Sequence, residues 1–226
     1  MKGTPFFAAA SAIFRKDVRA EMRSRELVGS MVLFALLAVL VFSFALELNR
    51  AGRLEAISGV LWVTLVFASI LGLNRSMAME RDQGNLDALL LAPISRPAIY
   101  IGKLAGNLVF VLSVAAALAV VITILFNATL FDPRLLVVLA LGAIGYSTVG
   151  TLLAAMSVQT RARESLLPII MLPVALPLLL ASVRATSALL TGAPEDQWVP
   201  WLSILFVLDV IFLVLGFLLF EFVVED

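Results

Sequence analysis

"MERDQGNLDALLLAPISRPAIYIGK", residues 79–103, lies between two runs so apolar that they suit only a membrane interior. Leu86, Leu89 and Leu90 recur at helical spacing while Asp82, Gln83, Asn85 and Asp87 take the neighbouring positions, which predicts a short amphipathic helix. Pro93 ends it, because proline removes a backbone donor and clashes with the preceding turn. Ser95 and Pro97 then open the next helix. Two readings of the segment are open: a loop helix resting on the lipid surface, or a leucine-faced helix that docks into a groove of another protein.

Working outward, 62% of the 226 residues are hydrophobic and the mean hydropathy is +1.08, against about 45–50% apolar residues in a soluble domain. A hydrocarbon layer about 30 Å thick takes roughly 20 residues of helix. Six stretches qualify: Leu27 to Leu46, Ala56 to Leu73, Ala98 to Phe126, Arg134 to Val158, Ser165 to Val183 and Val199 to Val224. The fold class expected is an all-α membrane protein, one domain over residues 1–226, with an N-terminal interfacial helix and a connecting helix between spans 2 and 3. Roughly 25 mostly polar residues precede the first span, so the N-terminus reads as retained rather than as a cleaved signal.

Basic residues set the orientation, since loops facing the cytoplasm are enriched in them. One side carries Lys2, Arg15, Lys16, Arg19, Arg23, Arg25, Arg75, Arg81, Arg96, Lys103, Arg161 and Arg163; the other carries Arg50, Arg53, Arg134 and Arg184. Both termini and the quoted segment are therefore expected in the cytoplasm, with Trp198, Trp201 and Trp62 toward the outer interface. Lys103 is expected where the third span leaves the headgroups.

Four further features carry readings. In "SAIFRKDVRAEMRSREL", Phe14, Val18 and Met22 recur every four residues with Arg15, Lys16, Arg19 and Arg23 around them. That is the pattern of an interfacial helix with a basic face, either a lipid anchor or a neighbour of a cytoplasmic partner. Ala143, Ser147, Thr151 and Ala155 form a small-residue stripe that favours close packing inside the subunit. Pro168, Pro173 and Pro177 in the fifth span favour a bend. Asp209 falls near mid-membrane, where an ionisable group is a functional candidate; the other reading is a protonated or hydrogen-bonded residue joining helices through Ser147, Thr148 or Tyr146.

The exclusions are equally informative. The chain has no cysteine and no histidine, which removes thiolate chemistry and the commonest metal and haem ligands. A nucleophile and base pair cannot readily be assembled, so no catalytic residues and no metal site are expected. The sixteen basic and sixteen acidic residues cancel, leaving no basic balance that argues for nucleic acid. "IGKLAG" lacks the spacing and the hydroxyl of a phosphate-binding loop, so the chain is not expected to bind ATP alone.

On these residues the chain resembles permease subunits of the type 2 ABC exporter class, and within it the cytochrome c maturation haem exporter protein B family (CcmB). The resemblance covers nearly the whole chain and is carried by "FRKDVRAEMRSRE", by "GVLWVTLVFASILGLNRSMAMERDQGNLDALLLAPIS" and by "LLPIIMLPVALPLLL". Its most specific part matches the family's pattern at Glu80, Gly84, Leu86, Leu89, Leu90, Pro93 and Lys103. The resemblance implies that residues 80–95, with Glu80, Arg81, Asp82, Gly84, Leu86, Leu89, Leu90 and Pro93, form a coupling helix received by an ABC ATPase subunit. It implies two copies of this chain and two ATPases in the bacterial inner membrane, joined by a haem-handling membrane protein C and a small protein D. ATP on the partner would drive haem export or release of the haem-loaded chaperone protein E, with haem handled by a partner and no cofactor on this chain. Two alternatives stand beside it: a permease for lipid, polysaccharide or drug, which shares the same coupling logic, and a proton-linked carrier built on Asp209.

Overall fold

Apolar runs cross hydrocarbon only if their backbone groups bond internally, and the chain does this with helices. The computed structural model describes residues 5–45, 50–158 and 163–225; the side chains at 50–55, 86, 87, 90, 158, 163–165 and 224–225 lie outside the described ones. Lys2, Leu46 and Arg161 also lie outside the described residues. The described helices run α1 Phe6–Ser24, α2 Glu26–Ala45, α3 Arg50–Asp82, α4 Asn85–Leu91, α5 Arg96–Phe126, α6 Pro133–Val158, α7 Arg163–Leu190 and α8 Glu195–Glu225. Six of them, α2, α3, α5, α6, α7 and α8, are long and apolar enough to span a membrane. The chain is a multi-pass membrane protein.

Helix α6 is the hub, packed against α3, α5, α7 and α8. Its small stripe makes this possible: Ala143, Ser147, Thr151 and Ala155 are all buried. A methyl at Gly150 would meet Leu73 of α3 and Met171 of α7. Small residues let backbones approach where lipid offers no hydrophobic drive for association, so the stripe works inside the subunit as expected. Outward along α2, α7 and α8 stand Leu37, Phe44, Leu180, Phe206 and Leu218, all exposed.

Three boundaries depart from the sequence reading. The second span does not stop at Leu73. α3 continues to Asp82, so its 33 residues reach about 50 Å; Met77 and Glu80 turn inward and keep the charged end packed. Charges marked where the lipid ends, whereas the helix ends where burial does. Glu80, Arg81 and Asp82 consequently close α3, and the short connecting helix proper is α4 alone. Between them Gly84 takes φ +69°, a left-handed conformation that glycine adopts without the Cβ penalty. Third, α7 runs past Val183 to Leu190, with Pro168, Pro173 and Pro177 inside it.

Pro93 acts as expected. Ala92 before it is extended at φ −71° and ψ 148°, the conformation that a following proline favours. At the other end of the bundle, Arg134 of α6 lies 5.6 Å from the Trp198 ring of α8, whereas Trp62 is fully buried among the helices. The α1 end holds the last turns of α8: Phe6 stacks on Phe217 at 6.3 Å and Tyr100 on Phe220 at 5.3 Å. Both ends of the described chain thus meet on one side of the bundle.

Candidate functional site: a buried charge cluster beneath the connecting helix

Helix α1 seats itself on α5 through a face that the Phe14, Val18, Met22 pattern does not describe. The buried residues are Ala9, Ala10, Ile13 and Asp17, while Phe14 and Val18 are half-buried and Met22 is 71% exposed. Arg15, Arg19 and Arg23 are exposed as expected. The seat is cut by two glycines one turn apart. A methyl at Gly102 would stand 2.8 Å from the Ala10 carbonyl oxygen and from Ile13 Cβ, and one at Gly106 would stand 3.4 Å from Asp17 Cβ. Gly102-x-x-x-Gly106 is a small-residue seam of the kind that brings helix backbones together in lipid. The stretch "IGKLAG" has a packing role.

Lys103 stands between these glycines and is 1% exposed. Its side chain turns into the protein, between helices. Its Nζ lies 2.9 Å from Asp17 Oδ2 on α1 and 2.9 Å from Glu80 Oε1 on α3. Lys16 approaches from α1, 2.9 Å from Asp17 Oδ1, and donates to Glu80 Oε1. Two cations and two carboxylates thus balance at zero in a pocket between three helices. A buried charge is tolerated when paired and hydrogen-bonded in this way. Burial works against the Lys16 ammonium, but Glu80 and Asp17 outweigh it and hold Lys16 above its ordinary pKa. A cavity of about 90 Å³ opens beside the cluster, touching Asp17, Glu80 and Gln83.

Polar contacts extend from here into the bundle. Asn107, one turn beyond Lys103 on α5, accepts from Ser76 of α3 at 3.2 Å and donates to Thr151 of α6 at 2.9 Å. On the other side Glu21 accepts from the Leu27 and Val28 amides at 3.4 and 2.8 Å, capping α2 where Arg25, at φ 55°, turns the chain out of α1. So α1 is fastened to α2, α3 and α5 at once.

Helix α4 hangs from the end of α3 above this cluster. Arg81, Asp82 and Gly84 are exposed, as is Pro93. Leu89 is half-buried and packs back on the main core, whereas Leu91 is 88% exposed. Leu86 and Leu90 belong to α4, but their side chains lie outside the described ones. Among the leucines of this segment whose side chains are described, the outward one is Leu91, which period alone did not select. Asp209, far from the cluster on α8, is 5% exposed, and its two oxygens find no partner among the described residues. The bonds to Ser147, Thr148 or Tyr146 expected of a helix-joining role are not made; Thr148 donates to the Ile144 carbonyl at 2.7 Å instead.

The family model described as CcmB protein matches residues 8–224. The chain belongs to the CcmB protein family. Similar CcmB relatives include heme exporter protein B of Bradyrhizobium diazoefficiens, 29% identical over 214 residues that cover 92% of this chain and 93% of that protein. Heme exporter protein B of Rhodobacter capsulatus is 31% identical over 173 residues, 75% of this chain and 78% of that one. That of Paracoccus denitrificans is 30% identical over 184 residues, 80% and 84% respectively. In this CcmB chain, sequence reasoning placed Glu80 and Lys103 in the pattern but missed Asp17 and Lys16. The signal that could have found them is the pairing of Ala10, Ile13 and Asp17 on one helical face with the two glycines that flank Lys103.

Proposed function

We propose that the chain is a non-catalytic permease subunit of an ABC transporter for cytochrome c maturation, coupling ATP hydrolysis on a partner ATPase to haem export or release of a haem-loaded chaperone. The observation that carries this is the Lys16–Asp17–Glu80–Lys103 cluster, in which Asp17, Glu80 and Lys103 are buried. It links the end of α3, from which α4 projects, to α1 and α5, so a push on α4 has a stiff route into the bundle rather than a loop that yields. Membership in the CcmB family and relatives named as heme exporters supply the cargo class. With no histidine or cysteine in the chain, haem is handled by a partner and ATP sits on the ATPase. The partners are that ATPase, haem-handling protein C, small protein D and chaperone protein E, with two copies of this chain. The location is the bacterial inner membrane with both termini and α4 in the cytoplasm, which accords with the meeting of the two described ends on one side.

The test is to purify the tagged chain from its native membrane in mild detergent and identify what accompanies it. Expected are an ABC ATPase, nucleotide hydrolysis and a haem absorbance band, with the ATPase lost when Leu86, Leu90 and Leu91 are replaced together by aspartate. ATPase binding that survives this change would contradict the docking role of α4. An ATPase accompanied by no haem-handling protein would instead support a permease for lipid, polysaccharide or drug.

A further inference from the structure

Mid-bundle, three helices bring together polar atoms that bond to nothing. Both Asp209 carboxylate oxygens on α8, the Tyr146 hydroxyl on α6 and the Ser182 hydroxyl on α7 are buried without a hydrogen-bond partner among the described residues. At about 1.5 Å per residue, Asp209 lies roughly 17 Å along α8 from Trp198, Tyr146 roughly 18 Å along α6 from Arg134, and Ser182 about 12 Å along α7 from Leu190, depths that belong to hydrocarbon.

The groups face one another. Tyr146 Oη lies beside the Ser182 hydroxyl and within electrostatic reach of Asp209. A methyl at Gly145 would be 2.5 Å from Asp209 Oδ1, and one at Gly142 would be 3.1 Å from Ser182 Oγ. Two glycines a turn apart on α6 therefore clear the ground where the carboxyl and the hydroxyl sit. Neighbouring donors are committed elsewhere: Trp62, whose ring packs 5.9 Å from that of Tyr146, donates to Thr186 at 2.8 Å, and Tyr100 of α5 donates to the Thr148 carbonyl at 3.1 Å. No described Lys or Arg pairs with Asp209, since the described ion pairs join other acids. Arg184 of α7 is exposed and Arg134 of α6 stacks on Trp198.

A bare carboxylate and orphan hydroxyls are both costly in such surroundings. Adding a proton to one carboxylate oxygen removes the charge and creates an O–H donor. The second carboxyl oxygen remains an acceptor, and two hydroxyls, each able to donate and accept, stand near it. We infer that Asp209, Tyr146 and Ser182 form an intramembrane site for a proton. The site lies outside the charge cluster and does not depend on the coupling role proposed for α4.

Infrared spectroscopy of the full chain in lipid nanodiscs at neutral pH, compared in H2O and D2O, tests this directly. Carboxyl-13C aspartate identifies the band without any substitution. Expected is a neutral-acid carbonyl stretch that moves with the label, drops in frequency in D2O, shifts again in Tyr146→Phe or Ser182→Ala, and vanishes in Asp209→Asn. Absence of the band in the labelled wild-type chain, or a band indifferent to both D2O and the hydroxyl substitutions, would overturn the site.

Discussion

At the scale of single residues, the charge cluster makes the sharpest demands. Removing one member of a buried ion pair strands its partner and typically costs about 3–5 kcal/mol, whereas removing both is far milder. Lys103→Met keeps the volume but leaves Asp17 and Glu80 with Lys16 alone; its stability in detergent, read by thermal unfolding, is expected to fall by about that amount. The pair Asp17→Asn with Lys103→Met should recover part of the loss, and strictly additive effects would show that the two do not interact. Lys16 sets the pH behaviour. Its folded pKa is raised above the ordinary 10.5 by Glu80 and Asp17 despite burial, so its contribution is fully present below the ordinary value and is lost as pH rises through the folded one. Because the chain contains no cysteine, spin labels at Arg15 and Val109 can report the α1–α5 distance against a clean background. That distance is expected to hold through neutral pH and to lengthen only in strong alkali; lengthening near neutrality would contradict the assignment. Glu80 and Lys103 were legible as residues of note, but nothing in a one-helix periodicity marks Asp17 as buried. Its distant neutralising partner, Lys103, comes from a helix more than eighty positions away in the chain.

Among elements, α1 and α4 carry the consequences. The α1 seat depends on the absence of side chains, so Gly102→Val, whose Cβ would press on the Ala10 carbonyl and Ile13, should lift α1 from α5. The same pair of labels would then read a longer distance at every pH. Gly84 poses a different question: nothing lies within 4 Å of a Cβ placed there. Gly84→Ala therefore suffers only the left-handed backbone penalty, about 1 kcal/mol, and should alter how α4 hangs from α3 while the spans stay in place. Unchanged coupling together with unchanged stability would show that the turn needs no glycine. The elements themselves were legible where hydrophobicity alone decides them: each of the six expected spans lies on its own long helix. What hydropathy could not show is that α3 outruns the membrane. Its last nine residues are charged or polar at Asn74, Arg75, Ser76, Glu80, Arg81 and Asp82, yet they stay helical because one face remains buried. The α1 stripe was misread for a related reason, since a search for large apolar residues passes over alanines that pack closely against glycine.

For the whole molecule, the arrangement resembles a lever set in a frame. The frame is α6 with its neighbours; the lever is the overhang of α3 with α4 at its tip; the charge cluster binds the lever's root to α1 and α5. Under the proposed function, an ATPase that grips α4 moves this root and so the helices fastened to it. One exposed position reports the grip. Leu91 is 88% exposed on α4, and Leu91→Cys places a single thiol there in an otherwise cysteine-free chain. The most direct measurement is cross-linking from that thiol in the native membrane, followed by identification of what is captured with and without ATP. Capture of an ABC ATPase subunit, with a yield that changes between nucleotide states, is the predicted result. A thiol that reacts freely with a membrane-impermeant reagent added outside the cell, and that captures no ATPase, would contradict the account.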